Sequence, residues 1–113
     1  MDPVSAKTEI RPSALKKRLD TGEKLPILDV REPDELKICQ LKDTLNIPMS
    51  QLNDRVGELS QYKDNPLVVM CRSGGRSSRC ADFLRSQGFK EVINLDGGIL
   101  AWSDEVDQSV QKY

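Results

Sequence analysis

The residues best suited to chemistry lie in one short segment, where a cysteine follows an apolar run and precedes two glycines. The segment reads Cys71-Arg72-Ser73-Gly74-Gly75-Arg76-Ser77. Glycines allow backbone amides to turn inward around one centre, because no Cβ obstructs them. Successive inward N–H groups form a nest that holds an anion, and the start of a helix adds partial positive charge. The segment therefore predicts a nest around Cys71 as a thiolate, the nucleophilic form of cysteine.

Residues around this cysteine have predicted supporting roles. Ser77 is a candidate N-cap for the helix that follows the loop. A β-branched residue in place of Gly75 is expected to disturb the inward amides and so to weaken the thiolate. Arg72 and Arg76 are expected to orient an anionic sulfur donor through charge-assisted hydrogen bonds. The same nest is expected to hold the negative charge of a persulfide, Cys71–S–S⁻, after transfer of one sulfur atom.

The spacing within the segment separates two kinds of cysteine chemistry. Four residues lie between Cys71 and Arg76, whereas cysteine phosphatases use a longer spacing that encloses a tetrahedral phosphate. The shorter loop forms a smaller nest, which is better suited to a sulfur atom. The spacing thus favours sulfur transfer over phosphate hydrolysis.

Composition excludes several other kinds of site. The 113 residues include no histidine, which rules out Ser-His-Asp and Cys-His catalysis and zinc sites with imidazole ligands. The chain's three cysteines are too few for a Cys₄ centre, so we expect no metal. With 17 basic and 18 acidic residues, the net charge is −1, which argues against a nucleic-acid partner.

Length and hydropathy predict one domain over residues 1–113, with a core at about residues 8–106 and a polar, loosely held tail at 107–113. No apolar run approaches the ~20 residues of a membrane span. Residues 1–11 are polar and mixed in charge, unlike a signal peptide. The odd number of cysteines fits free thiols in a reducing compartment. We therefore predict a cytoplasmic protein with no membrane partner.

The elements that must position the cysteine alternate along the chain. Runs rich in β-formers occupy residues 25–30, 44–47, 67–71 and 92–95, and helical patterns lie between them. This alternation predicts an α/β domain with a mostly parallel sheet. The run 67–71 is continuously apolar, as in a strand buried on both faces. Cys71 ends that run, and ligands of such sheets bind outside the carboxyl ends of the strands.

Four apolar stripes mark the predicted helices, and one of them contains a second cysteine. The stripes are Leu15 and Leu19 after Pro12; Leu52, Val56 and Leu59; Cys80, Ala81 and Leu84; and Ile99, Trp102 and Val106. Cys80 and Cys39 are therefore interpreted as packing residues. Two alternatives stay open: a disulfide between Cys80 and Cys71 under oxidation, and a relay role for Cys39.

Four motifs in order along the chain resemble those of rhodanese-like sulfurtransferases. They are residues 28–35 (Leu-Asp-Val-Arg-Glu-Pro-Asp-Glu), 46–48 (Asn-Ile-Pro), the loop 71–77, and 94–102 (Asn-Leu-Asp-Gly-Gly-Ile-Leu-Ala-Trp). The resemblance implies a five-stranded parallel sheet flanked by helices, and Cys71 as the sulfur-carrying residue inside backbone amides 72–76. It also implies that Asp29 and Arg31 help to hold the site, with Arg31 paired to an acidic neighbour such as Glu35.

Two stretches, residues 35–41 and 97–113, resemble the C-terminal rhodanese domain of E1-like adenylyltransferase–sulfurtransferases of molybdopterin synthesis and tRNA thiolation. That resemblance implies a ubiquitin-like sulfur carrier protein and a cysteine desulfurase as partners. It implies small sulfur donors or acceptors such as thiosulfate and cyanide, and no cofactor beyond the covalent persulfide. Two other functions remain open at this point: a small cysteine phosphatase or arsenate reductase on the same fold, and a non-catalytic binding module.

Overall fold

A computed structural model describes residues 8–113, and five parallel strands form one sheet at their centre. The strands are β1 (Glu9–Ile10), β2 (Ile27–Asp29), β3 (Leu45–Asn46), β4 (Pro66–Met70) and β5 (Glu91–Leu95). Their order across the sheet is β1-β5-β4-β2-β3. The predicted five-stranded parallel α/β fold is confirmed.

Helices cover both faces of the sheet. They are α1 (Pro12–Asp20), α2 (Pro33–Leu36), α3 (Met49–Arg55), α4 (Gly75–Ser86) and α5 (Gly98–Glu105), with a 3₁₀ segment (Val56–Tyr62) after α3. One face carries the apolar side chains of α1 and α5, including Leu15 and Ile99. The other carries those of α3 and α4, including Leu52 and Leu84.

Strand β4 lies between β5 and β2 and is buried on both faces, as its apolar run predicts. Successive strand side chains point to opposite faces. Accordingly, Val68 and Met70 pack with the α1–α5 side, whereas Leu67 and Val69 pack with the α3–α4 side. Cys71 continues the second set, directly after the carboxyl end of β4. The central strand therefore delivers the cysteine to the edge of the sheet where ligands of parallel sheets bind.

The structure differs from the sequence patterns at two elements. Strand β1 was not among the four predicted runs, because a two-residue edge strand paired only with β5 carries almost no local signal. The stripe Leu52, Val56 and Leu59 does not form one α-helix. The helix ends at Arg55 and the chain tightens into the 3₁₀ segment, which still buries Leu59.

The prediction of a loosely held tail at residues 107–113 is wrong. Val110 and Tyr113 pack against the apolar cluster on the α1–α5 side. The Ser103 hydroxyl donates to the Val110 carbonyl at 2.7 Å. Two apolar side chains in an otherwise polar stretch are enough to fold it back, since each removes apolar surface from water.

None of the helices in residues 8–113 is both long enough and apolar enough to cross a bilayer. Residues 1–7, which belong to the segment interpreted as unlike a signal peptide, lie outside the described residues.

Candidate active site

The sulfur of Cys71 lies at the centre of a group of hydrogen-bond donors. Gly74 N–H donates to it at 3.1 Å and Ser77 N–H at 3.4 Å. The Ser77 hydroxyl oxygen lies 3.3 Å from the same atom. Burial of Cys71, which is 1% exposed, works to raise its pKa. The hydrogen bonds from Ser77, Gly74 and Ser73 outweigh that effect, and the pKa lies below the ordinary value of a thiol.

Helix α5 determines which way the peptide groups of this loop face. Ile99 N–H donates to the Cys71 carbonyl at 3.0 Å, and Leu100 N–H donates to the Arg72 carbonyl at 3.1 Å. These are amides of the first turn of α5, which have no partner within their own helix. The two carbonyls are thus drawn outward, and the N–H groups of the loop remain free to face the sulfur.

The glycine that the loop requires is Gly74. Its φ of +109° lies in the region that L side chains rarely adopt, and it is the N-cap residue of α4. The prediction of Ser77 as the N-cap is wrong, because the helix begins two residues earlier and Ser77 lies in its first turn. The prediction for Gly75 is corrected too. Gly75 has an ordinary helical φ, and a Cβ there would meet open space.

Alanine substitutions at these adjacent glycines are expected to separate the two roles. Gly74→Ala should cost about 1–2 kcal/mol of strain and raise the pKa of Cys71, because the Gly74 N–H moves away from the sulfur. Gly75→Ala should be neutral or stabilise by about 0.4–1 kcal/mol. Thermal unfolding and the pH dependence of iodoacetamide alkylation at Cys71 measure both effects. A larger rise in the Cys71 pKa for Gly75→Ala would contradict this assignment.

Arg76 is held by an acidic partner on α2. Its two terminal nitrogens each donate to one oxygen of Glu35 at 2.7 Å. This pairing, opposed by partial burial, holds the pKa of Glu35 down at about 2. Glu35 also accepts the backbone N–H of Glu32 at 2.9 Å, which caps the start of α2. The Arg76 guanidinium is thus part of the wall of the site, with its charge balanced by a carboxylate.

Arg31 pairs with an acidic neighbour, as predicted, but this neighbour is Asp29 and not the Glu35 carboxylate that was offered as the example. Both side chains are fully buried, and Arg31 Nη2 lies 2.7 Å from Asp29 Oδ2. Arg31 reaches Glu35 only at its backbone carbonyl, at 3.4 Å. A second bond from Nη2 goes to the Cys39 carbonyl at 2.9 Å. The buried pair therefore ties the end of β2 to the chain beyond α2.

Tyr113, in the folded tail, is a residue of this region that the sequence patterns did not single out. Its hydroxyl donates to Glu35 Oε1 at 2.8 Å and accepts from Arg31 Nη1 at 3.1 Å. Its ring centre lies 5.1 Å from the guanidinium carbon of Arg72. The Arg72 side chain also donates from Nε to the Tyr113 carbonyl at 2.6 Å. Arg72 therefore extends towards the tail, and not over the sulfur.

The other two cysteines differ from Cys71 in their surroundings. Cys80 is buried in the core cluster, as predicted, and burial raises its pKa to about 11. Cys39 is partly buried and packs against the cluster on the opposite side of the sheet. All three thiols are free in the structure. Within residues 8–113, no group of three or more metal-ligating His, Cys, Asp or Glu side chains is present.

Comparison with known proteins shows the family. The model of the rhodanese-like domain matches residues 11–105. The chain belongs to the rhodanese-like domain family. A sulfurtransferase of Allochromatium vinosum is 38% identical over 95 residues, which cover 84% of this chain and 87% of that protein. These similarities, together with the loop geometry, indicate a role in sulfur transfer.

Two further relatives differ in how much of their own length the match covers. The adenylyltransferase and sulfurtransferase MOCS3 of Drosophila virilis is 37% identical over 93 residues, which cover 77% of this chain but only 21% of that protein. A rhodanese-related protein of Thermoplasma volcanium has a solved structure with a TM-score of 0.76 and 31% identity, covering 87% of this chain and 92% of that one. The resemblance to rhodanese domains of adenylyltransferase–sulfurtransferases is confirmed.

Proposed function

We propose that this chain transfers sulfane sulfur, carrying it as a persulfide on Cys71 between a donor and a nucleophilic acceptor. The observation that carries the proposal is the set of donors from Gly74 and Ser77 around one buried sulfur. Such donors favour a charged sulfur over a protonated one. No histidine base is needed, because the thiolate is already the form that the surroundings stabilise.

The first half-reaction is a displacement at sulfur. With thiosulfate as donor, the Cys71 thiolate attacks the outer, sulfane sulfur, and a new S–S bond forms. The bond between the sulfane sulfur and the sulfonate sulfur breaks, and sulfite leaves with the electron pair. Cys71–S–S⁻ and sulfite together carry the same total charge as the thiolate and thiosulfate, so no proton or oxidant is required. A protein persulfide, such as that of a cysteine desulfurase, serves by the same exchange.

The second half-reaction returns the enzyme to its starting form. A nucleophile attacks the outer sulfur of the persulfide, and the Cys71 thiolate leaves with the electron pair of the S–S bond. Cyanide gives thiocyanate in an assay, and a thiol gives a new persulfide. The sequence is a two-step covalent mechanism of the ping-pong type. The amides of Ser73, Gly74 and Ser77, which bond to the sulfur, stabilise negative charge in both halves and need no metal or organic cofactor to do so.

The cellular acceptor that we favour is a ubiquitin-like sulfur carrier, and the compartment is the cytoplasm. The support is the similarity to the MOCS3 relative, whose name joins adenylyl transfer to sulfur transfer. The arginines contribute by holding the site together. Arg76, bound to Glu35, is held beside the loop, which leaves the amide nest as the main anion binder.

Sulfur loading of the intact protein tests the proposal. After incubation with thiosulfate, the native protein should gain the mass of one sulfur atom, and Cys71→Ser should gain none. Cys80→Ser is the matched control, because it removes another buried thiol of the same region and should still load sulfur. Alkylation of Cys71 should rise with pH through a pKa below that of an ordinary thiol. Absence of any adduct with thiosulfate and with a protein persulfide would overturn the proposal; turnover of an aryl phosphate, lost in Cys71→Ser, would indicate a phosphatase instead.

A further inference from the structure

Ser77 and Asn94 form a buried polar pair beside the sulfur of Cys71. Ser77 is fully buried and Asn94 is 3% exposed. The Ser77 hydroxyl oxygen lies 2.5 Å from Asn94 Oδ1 and 3.3 Å from the sulfur. The Gly74 carbonyl is a third acceptor, at 3.2 Å. A hydroxyl has one proton to donate, so these three acceptors compete for it.

The hydrogen bonds of Asn94 fix which way its amide faces. Its nitrogen donates to the Gly74 carbonyl at 3.2 Å and to Glu9 Oε1 at 3.4 Å. Both partners are acceptors, so the nitrogen must face them and the amide oxygen must face Ser77. The Gly74 carbonyl also accepts the Ser78 N–H at 3.0 Å. The loop therefore keeps one anchor at this carbonyl even without Asn94.

The demand on the Ser77 proton changes during sulfur transfer. In the thiolate state, the Cys71 sulfur carries the negative charge and is a strong acceptor. In the persulfide state, the charge lies on the outer sulfur, and the inner sulfur becomes a weak acceptor like that of a thioether. A buried hydroxyl without an acceptor would be costly, and of the two acceptors that remain the Gly74 carbonyl is the more distant, at 3.2 Å. The Asn94 amide oxygen, 2.5 Å from the same hydroxyl oxygen, offers the nearer acceptor.

We propose that Asn94 is a positioning residue that competes with the Cys71 sulfur for the Ser77 proton. The hydroxyl turns towards the sulfur in the thiolate state and towards Asn94 in the persulfide state, by rotation about one bond. Asn94 thereby shifts the balance from thiolate towards persulfide. This inference rests on the proposed function, and it assigns a role to a side chain of β5 that does not itself touch the sulfur.

Two other groups influence the charge of the sulfur and are unchanged by substitution at Asn94. The Arg76 guanidinium interacts electrostatically with the sulfur from α4, and so does the Cys80 thiol. Glu9, on β1, faces the Asn94 amide nitrogen. Asn94→Leu alters none of these charges, so a change in the titration of Cys71 would report the redirected hydroxyl.

The test compares Asn94→Leu in two backgrounds. Without the competing acceptor, the Ser77 hydroxyl should remain on the thiolate, and the pKa of Cys71 should fall by about one pH unit. The thiolate should also become less nucleophilic, so sulfur loading at saturating pH should slow about threefold. In a Ser77→Ala background, Asn94→Leu should move neither quantity. Iodoacetamide alkylation against pH gives the pKa, and intact mass against time gives the loading rate.

Two outcomes would overturn the inference. One is a Cys71 pKa that stays the same or rises in Asn94→Leu. The other is a Cys71 pKa that falls as far on Asn94→Leu substitution in the Ser77→Ala background as in the native protein. Should Asn94→Leu fail to fold, Asn94→Asp replaces it. Its carboxylate should hold the hydroxyl and raise the Cys71 pKa, by more with Ser77 present than with alanine. A native protein that never loads sulfur would contradict the proposed function. Alkylation of Cys71 needs no sulfur donor, so the alkylation comparison would still test the competition for the Ser77 proton.

Discussion

Gly98→Ala is expected to destroy the geometry of the cysteine loop, because no room exists for a Cβ at this position. Such an atom would lie 2.4 Å from the Arg72 carbonyl oxygen and 2.6 Å from that of Cys71. The neighbours are backbone atoms, which cannot move aside as a flexible side chain does. In addition, the φ of Gly98 is +61°, which an L residue adopts only with strain.

The consequence is loss of both bonds from α5 to the loop. Separation of the two segments would break Ile99 N–H to the Cys71 carbonyl and Leu100 N–H to the Arg72 carbonyl. Strain, overpacking and two lost hydrogen bonds together should lower the free energy of unfolding by roughly 3–5 kcal/mol. In molecules that remain folded, the loop amides should turn away from the sulfur, so the Cys71 pKa should rise and sulfur loading should fall.

Gly57→Ala is the matched control for this substitution. Gly57 lies in the 3₁₀ segment with an ordinary φ, and a Cβ there has nothing within 4 Å. Its unfolding temperature should stay the same or rise slightly. Thermal unfolding and the alkylation profile of Cys71 should be recorded for both variants. The role given to the close approach of α5 would be refuted if Gly98→Ala matched Gly57→Ala in both its unfolding temperature and its Cys71 titration.

Arg31→Ala is expected to destabilise the protein strongly, because it leaves the Asp29 carboxylate buried without its counter-charge. Both side chains are 0% exposed, and Asp29 receives three side-chain hydrogen bonds from Arg31. Removal of one partner of such a pair costs about 3–5 kcal/mol. In a domain of this size, each kcal/mol lowers the unfolding temperature by about 4–8 °C. Arg55→Ala, which breaks the exposed pair with Glu58, should leave the unfolding temperature almost unchanged.

A double variant separates loss of charge balance from loss of packing. Asp29→Leu combined with Arg31→Met removes both charges and keeps most of the buried volume. Replacement of a whole buried pair by apolar residues is often neutral in stability. The double variant should therefore unfold at a higher temperature than Arg31→Ala. If it is the less stable of the two, the unbalanced charge of Asp29 does not account for the effect of Arg31→Ala.

Sequence patterns predicted the elements whose signal is local. Strand β4 is a continuous apolar run, and the cysteine at its end is followed by the glycine that starts α4. Burial on both faces and a strand-to-helix turn are properties of neighbouring residues, so they can be inferred without knowledge of the rest of the fold. The choice between Gly74 and Gly75 was not accessible in this way. Both residues are glycines, and only the backbone φ angles show that glycine is required at position 74 and not at position 75.

Pairing between distant residues could not be predicted from the same patterns. Arg76 binds Glu35 across 41 positions, and Tyr113 reaches Glu35 across 78. The family resemblance implied an acidic neighbour for Arg31 and offered Glu35 as an example of that neighbour. Arg31 turned inward to Asp29 because a buried guanidinium requires a carboxylate that is buried with it. Packing between elements decides which charged side chain is buried, and local composition does not encode that packing.

The folded tail has a practical consequence for how the protein can be joined to anything else. Tyr113 ends against Arg72, so an affinity tag or fused partner placed after this residue would emerge at the mouth of the cysteine loop. It would crowd incoming donors and compete for the guanidinium. The strands are parallel, so the turns before β4 and β5, at residues 63–65 and 88–90, lie at the end of the sheet opposite Cys71. Labels and linkers that must not disturb sulfur transfer are best placed on that side.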